Sequence, residues 1–192
     1  MRVNEIFVSL QGEGYHAGTA TVFLRFSGCN LKCPFCDTQH QSFTEMTEDE
    51  IVKAVSAYVP RTLIITGGEP MLQLTPSLAS KLHKAGFSLH VETNGTIDFD
   101  TKMVDWVTCS PKVTEGGRLR LSRADEVKLL YRGSDTDFQC IEHFPADNYY
   151  LQPLDTGDAA KNQQIIQETI NYIIKNPKWK LSLQTHKILN IR

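Results

Sequence analysis

The chain has 192 residues, 41% hydrophobic and 22% charged, with 20 lysines and arginines against 22 aspartates and glutamates. A net charge of −2 gives no electrostatic case for nucleic acid or an anionic membrane. No apolar run approaches the ~18 residues of a membrane span, and the size predicts one domain over residues 1–192 with a sizeable core. The N-terminal MRVNEIFVSLQGEG lacks the basic and apolar regions of a signal peptide. Five cysteines, three of them clustered, do not make a disulfide framework, so a reduced, cytoplasmic location is expected.

In chain order, residues 21–26 (TVFLRF) are apolar on both faces, as a buried strand requires. Thr47 with Glu50 matches a capping box opening a helix over IVKAVSAY. Residues 62–66 (TLIIT) read as a second buried strand. Thr75 before Pro76 sets an N-cap with proline at N1, and Gly86 can close that helix. Strands follow at 88–91, 105–109, 126–131, 149–152 and 180–184. The longest helix, over 158–175, places Ile166, Ile170, Ile173 and Ile174 on one stripe.

Alternating strand and helix predicts an α/β fold with a parallel sheet and right-handed crossovers. A complete eight-unit barrel typically takes ~250 residues. The chain has room for about six units, so an incomplete TIM-like βα barrel with about six parallel strands is expected. A doubly wound open sheet is the alternative, although no G-x-G-x-x-G fingerprint is present.

The unusual polar groups fall just after strands, on loops that share the carboxyl face of a parallel sheet, where ligands bind. Cys29, Cys33 and Cys36 follow the first strand in C-x3-C-x2-C spacing. Three thiolates can hold three corners of a four-iron cluster and leave one iron open, whereas such clusters are normally closed by four cysteines. The alternative is a structural zinc with Cys109 or Cys140 as fourth ligand, but no second cysteine knuckle exists. Gly67, Gly68 and Glu69 follow the second strand: either a plain turn, or backbone and carboxylate meeting an ammonium group. Glu92 and Asn94 could bond ribose hydroxyls, or simply form an Asn-Gly turn. Ser110 and Lys112 could hold a carboxylate. Arg25 lies inside a buried strand, where either a structural carboxylate such as Glu13 or an anionic substrate must neutralise it. His186 is either a core histidine or a site residue at a strand end, and His16, His40, His83, His90 and His143 form no metal-ligand spacing. Gln11 and Glu13 sit on a glycine-flexible loop and could read the donor and acceptor edge of a pterin or purine.

Together QGEG, GCNLKCPFCDT, TGGEP, ETNG, CSPK, LQPLD and the terminal LQTHKILNIR resemble the 7-carboxy-7-deazaguanine synthase family of the radical S-adenosylmethionine (SAM) superfamily. The resemblance implies a lyase, usually a homodimer, with a [4Fe-4S] cluster, SAM and Mg²⁺, reduced by an electron donor such as flavodoxin. SAM is cleaved to a 5′-deoxyadenosyl radical, which abstracts hydrogen from 6-carboxy-5,6,7,8-tetrahydropterin. Ring contraction with loss of ammonia follows. Cys29, Cys33 and Cys36 match the cluster ligands and Thr38 a magnesium ligand. Phe35, Asp37, Gly68, Glu69, Glu92, Asn94, Ser110, Lys112, Gln152 and Asp155 match the surroundings of SAM. Leu10, Gln11, Gly12, Glu13, Arg25, Thr66, His186 and the terminal Arg192 match the surroundings of the pterin. Ile188, Leu189 and Ile191 are expected to strap the tail across the open side, returning the Arg192 carboxylate to the pocket. An activase for glycyl-radical enzymes shares the cysteine spacing and is the rival reading.

Overall fold

The computed structural model describes residues 1–192 apart from Asp37 and His40. Its strands are β1 (Arg2–Leu10), β2 (Ala20–Phe26), β3 (Thr44–Glu45), β4 (Thr62–Gly67), β5 (Ser88–Thr93), β6 (Trp106–Cys109), β7 (Ala124–Tyr131), β8 (Ala146–Pro153) and β9 (Trp179–Leu181). The helices are α1 (Glu48–Ser56), α2 (Pro76–Lys84), α3 (Ala159–Lys175) and α4 (Thr185–Leu189). Among the described residues one sheet runs in the order β3-β1-β2-β4-β5-β6-β7-β8-β9. β2 and β4 to β9 are parallel, whereas β1 is antiparallel to both β2 and β3. The sheet is barrel-like and unclosed, as expected, with seven parallel strands where about six were anticipated. An antiparallel hairpin is added at its N-terminal end.

The helices start where the sequence places their caps. Thr47 Oγ1 accepts from the Glu50 amide at 3.3 Å while Glu50 Oε2 accepts from the Thr47 amide at 2.8 Å. Thr75 Oγ1 accepts from the Leu78 amide at 3.0 Å, and Asp158 caps α3 through the Ala160 amide at 2.9 Å. The inward stripe of α3 differs from the expected one. Ile165, Thr169, Tyr172 and Ile173 face the core, while Ile174 is 72% exposed, because α3 is turned so that Thr169 rather than Ile174 meets the sheet.

Strand alternation divides the sheet into two faces. Leu24, Leu63, Ile65, Leu89, Val91 and Val127 point outward and are sealed by Ile51, Val55, Leu78 and Leu82 of α1 and α2. Each fully buried aliphatic contributes roughly 1.5–3 kcal/mol of transfer free energy. The inner face is mixed. Phe7, Phe23 and Ile64 form a small apolar cluster, with Phe7 stacked on Phe23 at 4.9 Å. In the strands that follow, inward positions carry His90, Glu92, Thr108, Glu126 and Lys128 instead.

The last expected strand, 180–184, is shortened. β9 stops at Leu181, and Ser182 and Gln184 turn their side chains inward onto Gln152 and Glu13 before α4 begins at Thr185. His186 therefore sits on a helix and not at a strand end. Among the described residues no helix is long and apolar enough to cross a membrane.

Candidate active site

The loop leaving β2 carries Cys29, Cys33 and Cys36 as free thiols, with the Cys36 amide donating to the Cys33 carbonyl at 3.1 Å. Burial pushes the Cys29 and Cys33 thiols up, and the charges of neighbouring thiolates add to this, so the sulfurs share one locale. Lys112, from the loop after β6, opposes that rise at Cys33. Uncoupled thiols of this kind suit a metal cluster, since cationic irons favour thiolate. Cys109 is fully buried on the outer face and Cys140 Sγ points at the Asp137 carbonyl, 3.0 Å away, so neither joins the three.

Gly68 lies against this loop so tightly that a side chain there would collide with backbone. Phe35 lies under two cations, with the Arg132 guanidinium 4.3 Å and the Lys112 ammonium 5.8 Å from its ring centre. Lys112 Nζ donates to Ser110 Oγ at 2.6 Å, so the expected carboxylate-binding pair is assembled.

Three residues expected around SAM are used differently. Glu69 is 0% exposed; its carboxylate accepts from Met71 N (3.1 Å), Thr93 Oγ1 (2.8 Å) and Asn94 N (2.8 Å). It braces the β4 loop against β5, with its charge disfavoured by burial, and leaves ligand contact to backbone. Asn94 is likewise spent on Asn30 and Thr96, holding the cysteine loop in place. Asp155 pairs with Lys187 at 2.8 Å and with Asn162 at 2.7 Å, which ties α4 to the start of α3. Asp37, also expected at SAM, and His40 lie outside the described residues.

On the inner face the QGEG loop turns into the barrel-like interior. Glu13 accepts from Lys128 Nζ, from Gln152 Nε2 at 3.1 Å and from Gln184 Nε2 at 2.9 Å. Burial alone would raise its pKa, but Lys128 and these hydrogen bonds prevail and hold it at about 2. Glu92 accepts from Gln11 Nε2 at 2.9 Å, stands 3.6 Å from Lys128 Nζ and meets Thr66 Oγ1 at 3.5 Å. Glu92 and Gln152, expected around SAM, thus join Gln11, Glu13 and Thr66. Thr185 donates twice to the Gly12 carbonyl, and a side chain on Gly12 would strike the His186 ring, so α4 closes over this loop. Leu10 is exposed at the end of β1. Below the carboxylates His16, His90 and Trp106 pack ring to ring; burial lowers His90 to about 4, so this floor is uncharged at neutral pH.

Arg25 is neutralised by Glu5, directly opposite on β1, through Nε–Oε1 at 2.9 Å, and not by Glu13. Its Nη1 also reaches Thr38 Oγ1 at 3.4 Å. Arg192 bonds the other oxygen of Glu5, covers the Phe7 ring at 4.7 Å and receives the Ser9 hydroxyl. The tail does cross to β1, but by these polar and cation–π contacts. Ile188 (71%) and Leu189 (58%) are exposed and strap nothing in this chain.

Lys128 and Glu126 were not anticipated from sequence. They occupy alternate positions of β7 (ADEVKLLY), which also carries Asp125 near its start, and charge inside a strand is the same signal that singled out Arg25.

Residues 24–107 match the Radical SAM superfamily. The chain is 50% identical to 7-carboxy-7-deazaguanine synthase of Bacteroides thetaiotaomicron, covering 100% of this chain and 98% of that protein. It is 38% identical to the protein of the same name from Bradyrhizobium diazoefficiens, covering 99% and 98% respectively. Its fold superposes on the crystal structure of QueE from Escherichia coli with a TM-score of 0.77 at 26% identity, over 95% of this chain and 92% of that one.

Proposed function

Since the chain belongs to the 7-carboxy-7-deazaguanine synthase family of the radical SAM superfamily, we propose how its residues divide the work of that reaction. The substrate is 6-carboxy-5,6,7,8-tetrahydropterin, which contracts to 7-carboxy-7-deazaguanine with loss of ammonia. The observation that carries this reading is the neighbourhood of two unlike sites towards the carboxyl ends of the parallel strands. Three free thiols lie on the β2 loop, and an acceptor-rich cradle of Glu13, Glu92 and Gln11 lies on the inner face. Lys112 stands between them, its charge acting on Cys33 and answering to Glu13.

The family's cofactors are a [4Fe-4S] cluster and SAM, and the donor chemistry fits them: three free thiols on the β2 loop, which among the described residues are not drawn into one ligating group, a backbone cradle at Gly68 and a lysine beside it. When bound, the cluster and SAM supply the one-electron chemistry that removes hydrogen from the pterin. Cys29, Cys33 and Cys36 would hold three irons. Phe35, Gly68, Ser110 and Lys112 would seat SAM, Lys112 as a point charge for its carboxylate. On the inner face Gln11, Glu13 and Glu92 orient the pterin ring by its N–H groups, while Arg25 takes the pterin carboxylate beside the charge of Glu5. The packed floor of His16, His90 and Trp106 excludes water from a reactive centre.

Thr38 would give Mg²⁺ one oxygen, with substrate oxygens and water completing the shell. Its nearness to Arg25 supports this, since both would meet the same carboxylate. An electron donor such as flavodoxin would approach the exposed Cys36 side of the loop. Residues 1–192 would act as one radical SAM domain, in a cytoplasmic homodimer.

The test is an anaerobic assay of reconstituted enzyme with reductant, SAM, Mg²⁺ and the carboxypterin, read by product mass. Product should appear with 5′-deoxyadenosine well below stoichiometric. No product, or one 5′-deoxyadenosine per turnover, would overturn the reading.

A further inference from the structure

Lys128 is 6% exposed, and the groups around it are carboxylates from three segments. Its Nζ bonds Glu13 Oε2 from the N-terminal loop and stands 3.6 Å from Glu92 Oε1 on β5; Glu126 shares its strand and face. Glu126 Oε2 accepts from the Tyr15 amide at 3.1 Å, whereas its buried Oε1 has no partner among the described residues. One ammonium therefore stands where carboxylates from three segments would otherwise repel.

We propose that Lys128 is the positioning residue of the pterin site, the ammonium that stands against both Glu13 and Glu92 and holds them together so that their free lone pairs can accept the ligand's N–H donors. The acceptor count supports it. Glu13 Oε1 is filled by Gln152 and Gln184, leaving one lone pair on Oε2 beside Lys128. Glu92 Oε1 is filled by Gln11 and Lys128, leaving Oε2 with only the long contact to Thr66. Two acceptors from different segments are thus set side by side by one lysine. The ligand edge that matches them carries two adjacent N–H groups, as the amidine-like edge of a pterin does. Without the lysine the two carboxylates would face each other uncompensated, and burial would favour protonation of Glu13.

The groups facing Glu13 are Lys128 and Glu126 from β7, Glu92 from β5, His186 from α4 and Lys112 from the β6 loop, with His16 and His90 lining the cavity beneath. Lys128 is the cation in direct contact, so its loss leaves the Gln152 and Gln184 hydrogen bonds and the more distant His186 to oppose burial at Glu13.

This inference rests on the pterin reading, and one experiment separates the two. Carboxypterin binding to reconstituted, SAM-loaded enzyme is measured by calorimetry from about pH 5 to about pH 8, for parent, Lys128→Met, Lys128→Arg and the double variant Lys128→Met/Glu13→Gln. Lys128→Met should weaken binding about ten- to a hundred-fold at neutral pH and further as pH falls, a limb that the parent lacks. The double variant should bind weakly but without that limb, which identifies Glu13 and not His186 as the titrating group. Lys128→Arg keeps the charge but moves Glu13, so binding weakens with a flat acid profile. Iron content should match the parent's in all three variants. A Lys128→Met profile parallel to the parent's would overturn the proposal. If that variant does not fold, an acid limb in Lys128→Arg, which keeps the charge, would overturn it equally. A parent that binds no carboxypterin would instead sink the functional reading.

Discussion

Gly68 and Cys29 meet with no room between them: a Cβ built on Gly68 would stand 2.7 Å from the Cβ of Cys29 and 2.1 Å from the carbonyl oxygen of Gly28. Real Cβ atoms do not approach backbone so closely, so one of the two loops must move.

Gly68→Ala is therefore expected to displace the cysteine loop. Overpacking of this kind costs about 1–3 kcal/mol, and the geometry of the three thiols suffers with it. Iron per chain after anaerobic reconstitution, with the thermal midpoint as control, checks this. Parent-like iron content and SAM affinity would refute it.

Arg25 keeps one arm on Glu5 and has further donors for a substrate carboxylate. Arg25→Lys loses the planar fork, and binding of the carboxypterin should weaken by about 1.5–3 kcal/mol. Calorimetric titration with the carboxylated pterin and its decarboxylated analogue would show this. The variant should lose affinity for the first and little for the second. Equal losses for both would reduce Arg25 to the partner of Glu5.

Glu69 is used as a brace. Replacing it by glutamine turns an NH₂ group towards donors that already fill the site, the Asn94 and Met71 amides among them. The expected loss is about 1–3 kcal/mol of stability. Denaturant unfolding of Glu69→Gln measures it, and a midpoint equal to the parent's would mean that Glu69 is protonated and exchanges freely for an amide.

Glu13 is held at about 2 in the folded chain against an ordinary 4.5. A carboxylate lowered in this way contributes its full stability above pH 4.5 and loses it as pH falls towards 2. Glu13→Gln, which leaves Lys128 without its nearest anion, should cost about 3 kcal/mol near neutrality. The difference in thermal midpoint between parent and variant should shrink steadily below pH 4.5. A difference independent of pH would place the loss in packing and not in charge.

Much of this was legible in the residue order because strand and cap signals are local. TVFLRF and TLIIT could be read as buried strands, and Thr47 and Thr75 as caps, since each pattern depends on neighbours a few positions away. Neither β1 as a strand nor its direction was read from the sequence. Its pairing with β2 depends on the turn at 11–19, where the Gly18 amide donates to the Gln11 carbonyl and the Gln11 amide to the Thr19 carbonyl, and nothing in RVNEIFVSL distinguishes antiparallel from parallel. Polar partners were equally hidden. Glu5 against Arg25 and Lys128 against Glu13 join residues 20 and 115 positions apart. Glu69 and Asn94 illustrate the converse: a motif placed them at the right loops, but whether a side chain faces a ligand or braces its own backbone is decided by packing.

The order of the sheet has a consequence for the chain's behaviour in concentrated solution. Both outermost strands are stubs, Thr44–Glu45 at one end and Trp179–Leu181 at the other. The long, apolar, parallel strands that would template pairing with another molecule all lie inside, bonded on both sides. An unclosed barrel would ordinarily present two ragged edges inviting cross-molecular strand addition. Here the stubs shorten those edges without covering them: β9 lies along Tyr149, Tyr150 and Leu151 of β8, and β3 along only Arg2 and Val3 of β1, so residues 4–10 of β1 are the stretch of outer backbone at which a foreign strand would add first.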